Sequence, residues 1–184
     1  MKVLATNLAE VKIFSPTVFA DDRGYFYESF AQRDFDEAVG QKVRFVQDNH
    51  SHSSKNVLRG LHFQIPPFSQ GKLVRVVSGA VFDVAVDVRA NSSTFGHWTG
   101  LVLSAQNKLQ LWIPEGFAHG FVVLSDTADF VYKTTNYWDS SSERVIAWND
   151  PKIGIDWPEG LEPIISAKDA RGMSLAQVLS LREC

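Results

Sequence analysis

Short runs in which apolar and polar residues alternate, separated by turn residues, recur along most of this 184-residue chain. Alternation with a period of two is typical of strands that bury one face, and many short strands at even spacing favour a β-sandwich or β-barrel. The runs cover residues 11–18, 25–30, 73–88, 100–103, 109–113, 120–124, 129–134 and 145–148. The pattern therefore predicts a mainly β fold.

Two of these runs contain a break that predicts more than a strand. Pro16 interrupts residues 11–18, and because proline cannot donate to a strand ladder, this run is predicted to be an edge strand with which a second chain could pair. In the run at 73–88, the Ser78-Gly79 dipeptide separates two apolar segments and predicts a hairpin.

Helical periodicity is confined to two short segments. Apolar residues at helical spacing in 31–40, ending in a glycine, predict one helix. Ser174 followed by Gln177 is a capping-box pattern and predicts a second helix over 174–181, after a proline-rich loop that begins near residue 150. Both helices are expected to lie at the periphery of the β fold.

Composition narrows the class of protein. The chain has 45% hydrophobic and 21% charged residues, ordinary values for a globular protein, and its length suits one domain over residues 1–184. No apolar run approaches the roughly 18 residues of a membrane span. The formal charge of -3 gives no basic surface for nucleic acid, although an anionic small molecule needs only a local group of Arg and Lys. We therefore expect neither a membrane protein nor a nucleic-acid-binding one.

The two ends of the chain bear on its location in the cell and on its cysteine chemistry. The N-terminus, MKVLATNLAE, lacks the apolar core of a secretory signal, so a cytoplasmic location is expected. The single cysteine, Cys184, can form neither a disulfide nor a cysteine metal cluster within one chain.

Candidate chemistry is concentrated in residues 47–72. This stretch brings together three histidines, two basic residues and two amides: His50, His52, His62, Arg59, Lys72, Gln47 and Asn49. A single histidine on a strand is more often structural than catalytic. A pocket is therefore indicated only if His62 and Lys72 converge with His119, which follows a tight turn in PEGFAHG.

That second segment resembles a motif of the cupin superfamily, Pro-x-Gly-x-x-His, matched here by Pro114, Gly116 and His119. The resemblance implies a jelly-roll β-barrel. Metal-binding cupins also have a His-x-His and a Glu in their first motif, whereas this chain has His62-Phe63-Gln64 with no nearby Glu. Because two histidines leave a site short of the usual three or four protein ligands, we expect no bound metal and no other cofactor.

A more specific resemblance extends over residues 11–175. The segments DDRGYFYESF, FVQDNHSHS, VLRGLHFQ, QGKLVRVVSGAVFDVAVDVR, STFGHW, IPEGFAHGF, YKTTNYW, WNDPKIGIDWP and SAKDARG occur in the order and at the spacing of the dTDP-4-dehydrorhamnose 3,5-epimerase family. The resemblance implies inversion of C3 and C5 of a dTDP-4-keto-6-deoxy sugar, in the synthesis of cell-surface rhamnose. It also implies a homodimer, in which the N-terminal strands could be exchanged.

The same resemblance assigns four catalytic roles. A C–H beside a ketone is roughly 13 pKa units less acidic than an imidazolium, a deficit of about 18 kcal/mol, so a base alone cannot form the enolate. The family pattern gives the role of base to His62, paired with Asp169, and the role of cation at the enolate oxygen to Lys72. Tyr132 matches the acid that returns a proton to the opposite face of the sugar.

The resemblance also implies that charged, aromatic and amide side chains bind the substrate. The diphosphate is expected to contact Arg23, Arg59 and Lys168, because guanidinium and ammonium groups form charge-assisted hydrogen bonds with phosphate oxygens. Trp138 matches the residue that stacks on thymine, and His119 matches a contact near the sugar. The remaining nucleotide contacts match Glu28, Gln47, Asp48, Asn49 and Glu143.

Two positions raise geometric hypotheses. Arg59 and His62 have opposite strand parity, although both should face the substrate, so Gly60 is expected to mark a bulge or kink that reorients one of them. Asp83, on the strand run that follows Gly79, is expected to point inward, toward His119 or Lys72.

Other functions remain compatible with the sequence. Within the same class of enzyme, the alternatives are a 3-epimerase that leaves C5 unchanged and a ketoisomerase; Tyr132 beside His62 favours double inversion. From other classes, the alternatives are a non-catalytic cupin that binds nucleotide sugars and a metal-dependent oxygenase.

Overall fold

The computed structural model describes residues 1–180 and consists mainly of two antiparallel sheets packed face to face. Cys184 and the last residue of the second predicted helix lie outside the described residues. The strands are β1 Lys2–Ala5, β2 Lys12–Ser15, β3 Phe19–Asp21, β4 Gly24–Phe26, β5 Gln47–Ser54, β6 Leu58–Gln64, β7 Lys72–Ser78, β8 Ala80–Asp87, β9 Trp98–Ser104, β10 Gln110–Ile113, β11 Phe117–Val123, β12 Thr127–Thr134 and β13 Glu143–Val145.

The order of the strands is that of a jelly roll. One sheet has the order β1-β2-β10-β7-β12-β5, and the facing sheet has the order β13-β6-β11-β8-β9. The single strand expected at 25–30 is found only at residues 25 and 26, which belong to β4 of a separate hairpin, β3-β4; residues 27–30 form no strand. The prediction of a mainly β, cupin-type jelly roll is confirmed.

Three apolar clusters hold the layers together. The largest lies between the sheets and includes Val74, Ala85 and Phe130. A second covers the outer face of the five-stranded sheet, where Ile146 and Val178 pack from the C-terminal segment. Both faces of β8 are covered, so nearly all of its residues are buried. Alternate residues of β8 point into the space between the sheets, and the others point into the second cluster.

The predicted edge strand at 11–18 is wrong in position. Its ordered part, β2, lies inside the six-stranded sheet, paired with β1 on one side and β10 on the other. Pro16 does not break this ladder because it follows the last residue of β2. The edge is β1, whose Val3 and Leu4 are exposed, and the sequence prediction missed this strand.

The predicted hairpin at Ser78-Gly79 is also wrong. β7 belongs to the six-stranded sheet and β8 to the five-stranded sheet, so the chain crosses from one sheet to the other at this turn. Gly79 has φ +75°, and a Cβ there would collide with the carbonyl oxygen of Thr127. The same sequence signal thus marks a tight corner between layers, which alternation alone cannot distinguish from a hairpin.

Both predicted helices are present at the periphery, as α1 Gln32–Val39 and α2 Leu175–Ser180. Gly40 ends α1 in the left-handed region, with φ 75° and its N–H bonded to the carbonyl of Asp36. At α2 the capping box is formed, because Gln177 accepts from the Ser174 N–H at 2.8 Å and donates its own N–H to the Ser174 hydroxyl at 3.3 Å. Neither helix is long and apolar enough to cross a membrane, and no other α-helix occurs in residues 1–180.

Candidate active site

A cleft opens between the two sheets at one end of the sandwich. It comprises two adjoining cavities of about 320 and 270 Å³. Six side chains line both cavities, and all six come from the sequence prediction: Asn49, His62, Lys72, Tyr132, Trp138 and Glu143. Arg59, His119 and Lys168 line the first cavity only, and Gln47 lines the second. The structure therefore gathers most of the predicted site from six separate strands and two loops.

A bulge in β6 turns both Arg59 and His62 toward this cleft. In the ladder with β11, His62 lies opposite His119 but Arg59 lies opposite Phe121, so one residue of β11 faces two residues of β6. Gly60 sits at the shift with φ +135°, and a Cβ there would lie 2.6 Å from the Cα of Gly120. The hypothesis that Gly60 corrects the opposite parity of Arg59 and His62 is confirmed.

His62 is fixed by a carboxylate from a distant part of the chain. Its Nε2 lies 2.7 Å from Oδ1 of Asp169, which begins a short 3-10 helix at Asp169–Arg171. Burial alone would raise the pKa of Asp169, but the hydrogen bond with His62 and that with the Gly60 N–H outweigh it and lower the pKa. The ionised carboxylate holds the hydrogen on Nε2, so Nδ1 is the basic nitrogen that is left for the cleft.

Lys72 begins β7 on the opposite sheet and reaches across to β6. Its ammonium donates to the carbonyl oxygen of His62 at 3.2 Å, and the residue is buried. Burial lowers the pKa of Lys72 to about 8, although Glu143 and Asp83 act in the other direction. Near neutral pH the side chain is thus a desolvated cation close to the histidine, the arrangement that stabilises a developing oxyanion most strongly.

Tyr132 lies on β12, in the wall that faces His62. It has the same interior parity as Phe130 and Thr134 and is half-buried. Burial raises the pKa of the Tyr132 phenol, with Arg59 opposing and Glu143 assisting this shift. The phenol therefore keeps its proton at neutral pH and can donate it from the side of the cleft opposite the histidine.

His119, like His62, forms a hydrogen bond with a carboxylate. Its Nε2 lies 2.9 Å from Oδ2 of Asp83, which is fully buried on β8. The hypothesis that Asp83 points inward toward His119 is confirmed. The cleft therefore contains two histidine–carboxylate pairs, on adjacent positions of the β6-β11 ladder.

The mouth of the cleft contains polar groups suited to a nucleotide. Gln47 donates to the side-chain oxygen of Asn49 at 2.8 Å and accepts the backbone N–H of Trp138 at 3.2 Å. The Trp138 side chain is 57% exposed beside these amides, which leaves its ring face open for stacking. Lys168 donates to both carboxylate oxygens of Glu143, at 2.9 and 3.0 Å.

Three predicted binding residues do not line the cleft of the single chain. Arg23 and Glu28 are exposed, and the Arg23 side chain, in the β3-β4 turn, forms an ion pair with Asp21. Asp48 lies between Gln47 and Asn49 on β5, so its side chain takes the outer face of the sheet, where it pairs with Lys133 at 2.9 Å. The rings of His50 and His52 both contact one carboxylate oxygen of Asp129 on that outer face, although His50 also borders the larger cavity of the cleft.

Several lining residues were missed by the sequence prediction: Ser51, Phe63, Gln64, Gln70, Phe121, Phe130 and Thr134. Strand parity could have found some of them, because Ser51 alternates with Gln47 and Asn49, and Phe130 alternates with Tyr132. Gln64 carried no such signal, since it acts through loop backbone by donating to the carbonyls of Phe68 and Tyr137.

This arrangement is suited to moving protons beside a carbonyl group. A base on one wall faces a protonated phenol on the other, and a buried cation lies beside the base. Such a site can remove a proton, hold the enolate oxygen, and return a proton to the other face of the same carbon. Within residues 1–180, no three His, Cys, Asp or Glu side chains are grouped so that they could hold a metal ion.

Comparisons with known proteins agree with this chemistry. The model of the dTDP-4-dehydrorhamnose 3,5-epimerase family matches residues 5–177. The enzyme of that name from Shigella flexneri is 61% identical over 172 residues, which cover 94% of each chain. The crystal structure of dTDP-6-deoxy-D-glucose-3,5-epimerase from Legionella pneumophila in complex with dTDP-4-keto-L-rhamnose has a TM-score of 0.92 and 51% identity, and covers 97% of this chain and 96% of that chain.

A related enzyme with a narrower activity is also similar. A double mutant of a 3'-monoepimerase from Streptomyces bikiniensis, in complex with dTDP, has a TM-score of 0.90 and 31% identity, covering 96% of this chain and 88% of that chain. In it one histidine is replaced by asparagine and one tyrosine by phenylalanine. The family model and the relatives that are more than half identical over nearly the whole chain settle the classification: the chain belongs to the dTDP-4-dehydrorhamnose 3,5-epimerase family.

Proposed function

We propose that this chain converts dTDP-4-dehydro-6-deoxy-D-glucose to dTDP-4-dehydro-L-rhamnose by inverting C3 and C5 through enolate intermediates. The single observation that carries the proposal is the hydrogen-bonded pair of His62 and Asp169, which faces Tyr132 across a cleft with Lys72 beside it. The shifts in pKa keep the carboxyl group of Asp169 ionised and the phenol of Tyr132 protonated at neutral pH, as their roles require. The reaction needs no further group, because the 4-keto oxygen itself receives the charge.

In the proposed mechanism, His62 removes the proton from the carbon next to the ketone through its free Nδ1. The ionised Asp169 stabilises the imidazolium that forms, as a buried carboxylate does behind a catalytic histidine. The ammonium of Lys72 donates to the enolate oxygen, which replaces part of its interaction with the His62 carbonyl. Tyr132 then donates its proton to the opposite face, which leaves His62 as an imidazolium and Tyr132 as a phenolate. Proton exchange with water restores both groups, which then act in the same way on the second carbon.

The nucleotide is proposed to lie across the mouth of the cleft. Thymine stacks on Trp138, and the amides of Gln47 and Asn49 contact the base. The Arg59 guanidinium donates its Nε–H to Ser53 and contacts the diphosphate with its terminal N–H groups. This order places the sugar beside His62, because Arg59 and His62 lie on either side of the bulge.

We further propose that the enzyme is a homodimer in which the β3-β4 hairpin reaches a partner. Phe19 and Phe26 on this hairpin are 63% and 70% exposed, an apolar surface that is costly to leave in water. Arg23 and Glu28 belong to the same segment, so their absence from the cleft of one chain is what a shared site requires.

Light scattering should give a mass of twice 20.6 kDa. A mixture of His62→Asn and Arg23→Ala subunits should then recover activity that neither homodimer has, because one of its clefts combines intact residues from both chains. A monomeric mass with full activity would contradict the dimer, whereas a dimer without recovery would contradict the shared cleft.

A single inversion at C3 is the second candidate, and the similarity to the Streptomyces 3'-monoepimerase favours it. Because that enzyme also has a histidine and a tyrosine that were chosen for substitution, Tyr132 beside His62 does not by itself decide between one inversion and two.

Incubation of the dTDP-4-keto sugar with enzyme in D2O separates the candidates. We expect deuterium at both C3 and C5 and formation of the L-rhamno product, measured by NMR and mass spectrometry. Label at C3 alone would establish the narrower activity. The absence of exchange at both carbons would contradict both candidates and leave a binding protein.

A further inference from the structure

Asp83 is a buried carboxylate that the proposed mechanism does not use. It lies at the centre of β8 with no exposed surface, on the face that points between the sheets. Its Oδ2 contacts Nε2 of His119 at 2.9 Å, whereas Oδ1 accepts no hydrogen bond from any residue in 1–180. A buried carboxylate with one unbonded oxygen is costly, so its presence in this cleft requires a compensating interaction.

The cation available to compensate this charge is the ammonium of Lys72, which donates to the carbonyl oxygen of His62, directly opposite His119 on the β6-β11 ladder. The charged and titratable groups that act on Asp83 are His119, from β11, and Lys72, from β7. Those that act on Lys72 are Asp83, Glu143 from β13 and Lys168 from the C-terminal segment. Glu143 is already bonded through both oxygens to Lys168, which leaves Asp83 as the carboxylate without another cationic partner.

Charge balance determines which form of His119 fits this cluster. One cation, Lys72, and one anion, Asp83, are neutral together, so an additional charge on His119 would be unfavourable in a buried site. A neutral His119 that donates its Nε2–H to Asp83 presents Nδ1 as a hydrogen-bond acceptor. The other groups that act on His119 are Lys72 and His62, and both disfavour its protonation.

We propose that Asp83 is a positioning residue for the epimerisation: it holds His119 as a neutral acceptor aimed at a sugar hydroxyl and is the buried counter-ion that keeps Lys72 protonated. The proposal rests on the proposed function for its kinetic consequences, but not for the state of the two side chains. It also restricts the contact made by His119, because an acceptor pairs with a hydroxyl group of the sugar and not with a phosphate oxygen.

The directions of the pKa shifts show how burial acts on this cluster. Burial raises the pKa of Asp83, and His119 and Lys72 oppose that shift, so these two partners are what favours the ionised form of Asp83. Burial lowers the pKa of His119, which favours its neutral form, while Asp83 only partly opposes the shift. Burial likewise lowers the pKa of Lys72 to about 8, and Asp83 is one of two carboxylates that limit the decrease. Removing the charge of Asp83 should therefore lower the pKa of Lys72 further and deplete its ammonium form near neutral pH.

Asp83→Asn removes the negative charge of the carboxylate and keeps the size and shape of the side chain. We expect kcat to fall by at least about tenfold, because His119 would lose the carboxylate that fixes its tautomer and orientation toward the sugar. The alkaline limb of kcat/KM, which reports groups of the free enzyme, should move from near pH 8 to lower pH. Binding of dTDP should be unchanged, because Asp83 lies deep in the cleft, below the mouth residues.

Asp87→Asn is the matched control. Asp87 lies on the same face of β8 and is equally buried, but its carboxylate accepts from Arg89, Ser92 and Thr94 away from the cleft. Its replacement should lower the melting temperature while leaving the alkaline limb in place. If Asp83→Asn behaves in the same way, with wild-type kcat and pH dependence, Asp83 is structural and the proposal is wrong.

NMR on the wild-type protein tests the side chains without any need for turnover or for a folded variant. The ¹⁵N shifts of His119, assigned by their loss in His119→Gln, should identify a neutral ring protonated at Nε2. The Lys72 Cε resonance should titrate near pH 8. A charged His119, or a ring protonated at Nδ1, would overturn the proposal. Failure of the wild-type enzyme to turn over the keto sugar would instead contradict the proposed function.

Discussion

His62→Asn should lower kcat by at least about 100-fold, the contribution typical of a general base, while dTDP affinity stays unchanged. Asparagine removes the imidazole, and because its amide ends near the position of Nδ1 it leaves the Gly60 N–H as the donor to Asp169. His62→Gln, whose amide nitrogen reaches the position of Nε2, keeps a side-chain donor for the buried carboxylate and should show the same loss of kcat. Measurement of kcat together with dTDP binding by calorimetry separates loss of chemistry from loss of binding. Deuterium exchange into the substrate should be lost along with turnover.

His52→Asn is the control for this substitution. His52 also contacts an aspartate, Asp129, but on the outer face of the six-stranded sheet. Its replacement should leave kcat at the wild-type value. Equal activity of the His62 and His52 variants would show that His62 is not the base. His119, which also lines the cleft, would then be the candidate base.

Lys72→Met should lower kcat by about 100- to 1000-fold, the range measured when one donor to a developing oxyanion is lost. Methionine replaces the lysine chain as far as the ε position with an unbranched apolar chain of similar shape, but it provides no donor for the enolate oxygen. Because the reaction requires the ammonium form, wild-type kcat/KM should fall as the pH rises through about 8, the pKa of Lys72. This alkaline limb should be absent from the residual activity of the variant.

Lys152→Met removes an exposed ammonium from the C-terminal segment and should change neither kcat nor the alkaline limb. The pH profiles of the two variants therefore distinguish a local requirement from a general effect of net charge. An alkaline limb near pH 8 that persists in Lys72→Met would mean that another group titrates there, and the assignment of the oxyanion partner would have to change.

Local rules accounted for the parts of the fold that depend on neighbouring residues. Alternation found most strands, the glycine after 31–39 marked the end of α1, and the Ser174–Gln177 pair predicted the capping box of α2. The same rules failed where the outcome depends on the opposite layer. Gly79 could close a hairpin or turn a corner between sheets, and only the contact with Thr127 decides which.

In the site, too, residues close in sequence could be predicted from the sequence, whereas those brought together by the fold could not. His62, Lys72 and Arg59 lie close in sequence, so their joint role could be suspected from composition alone. Asp169 is 107 residues from His62, and only the resemblance to a family singled it out from other turn aspartates. Asp83 was an expectation from parity, but the unbonded oxygen that gives it significance depends on three-dimensional packing.

The bulge at Gly60 sets the spacing along β6 between two side chains that face the cleft, Arg59 and His62. In the proposed binding mode Arg59, on one side of the bulge, contacts the diphosphate and His62, on the other side, contacts the sugar carbons. The number of residues between them would then set how far along a nucleotide sugar the proton is removed. Removing or adding one residue here would turn one of the two side chains away from the cleft. Regioselectivity among nucleotide sugars thus depends on backbone length as well as on the catalytic side chains.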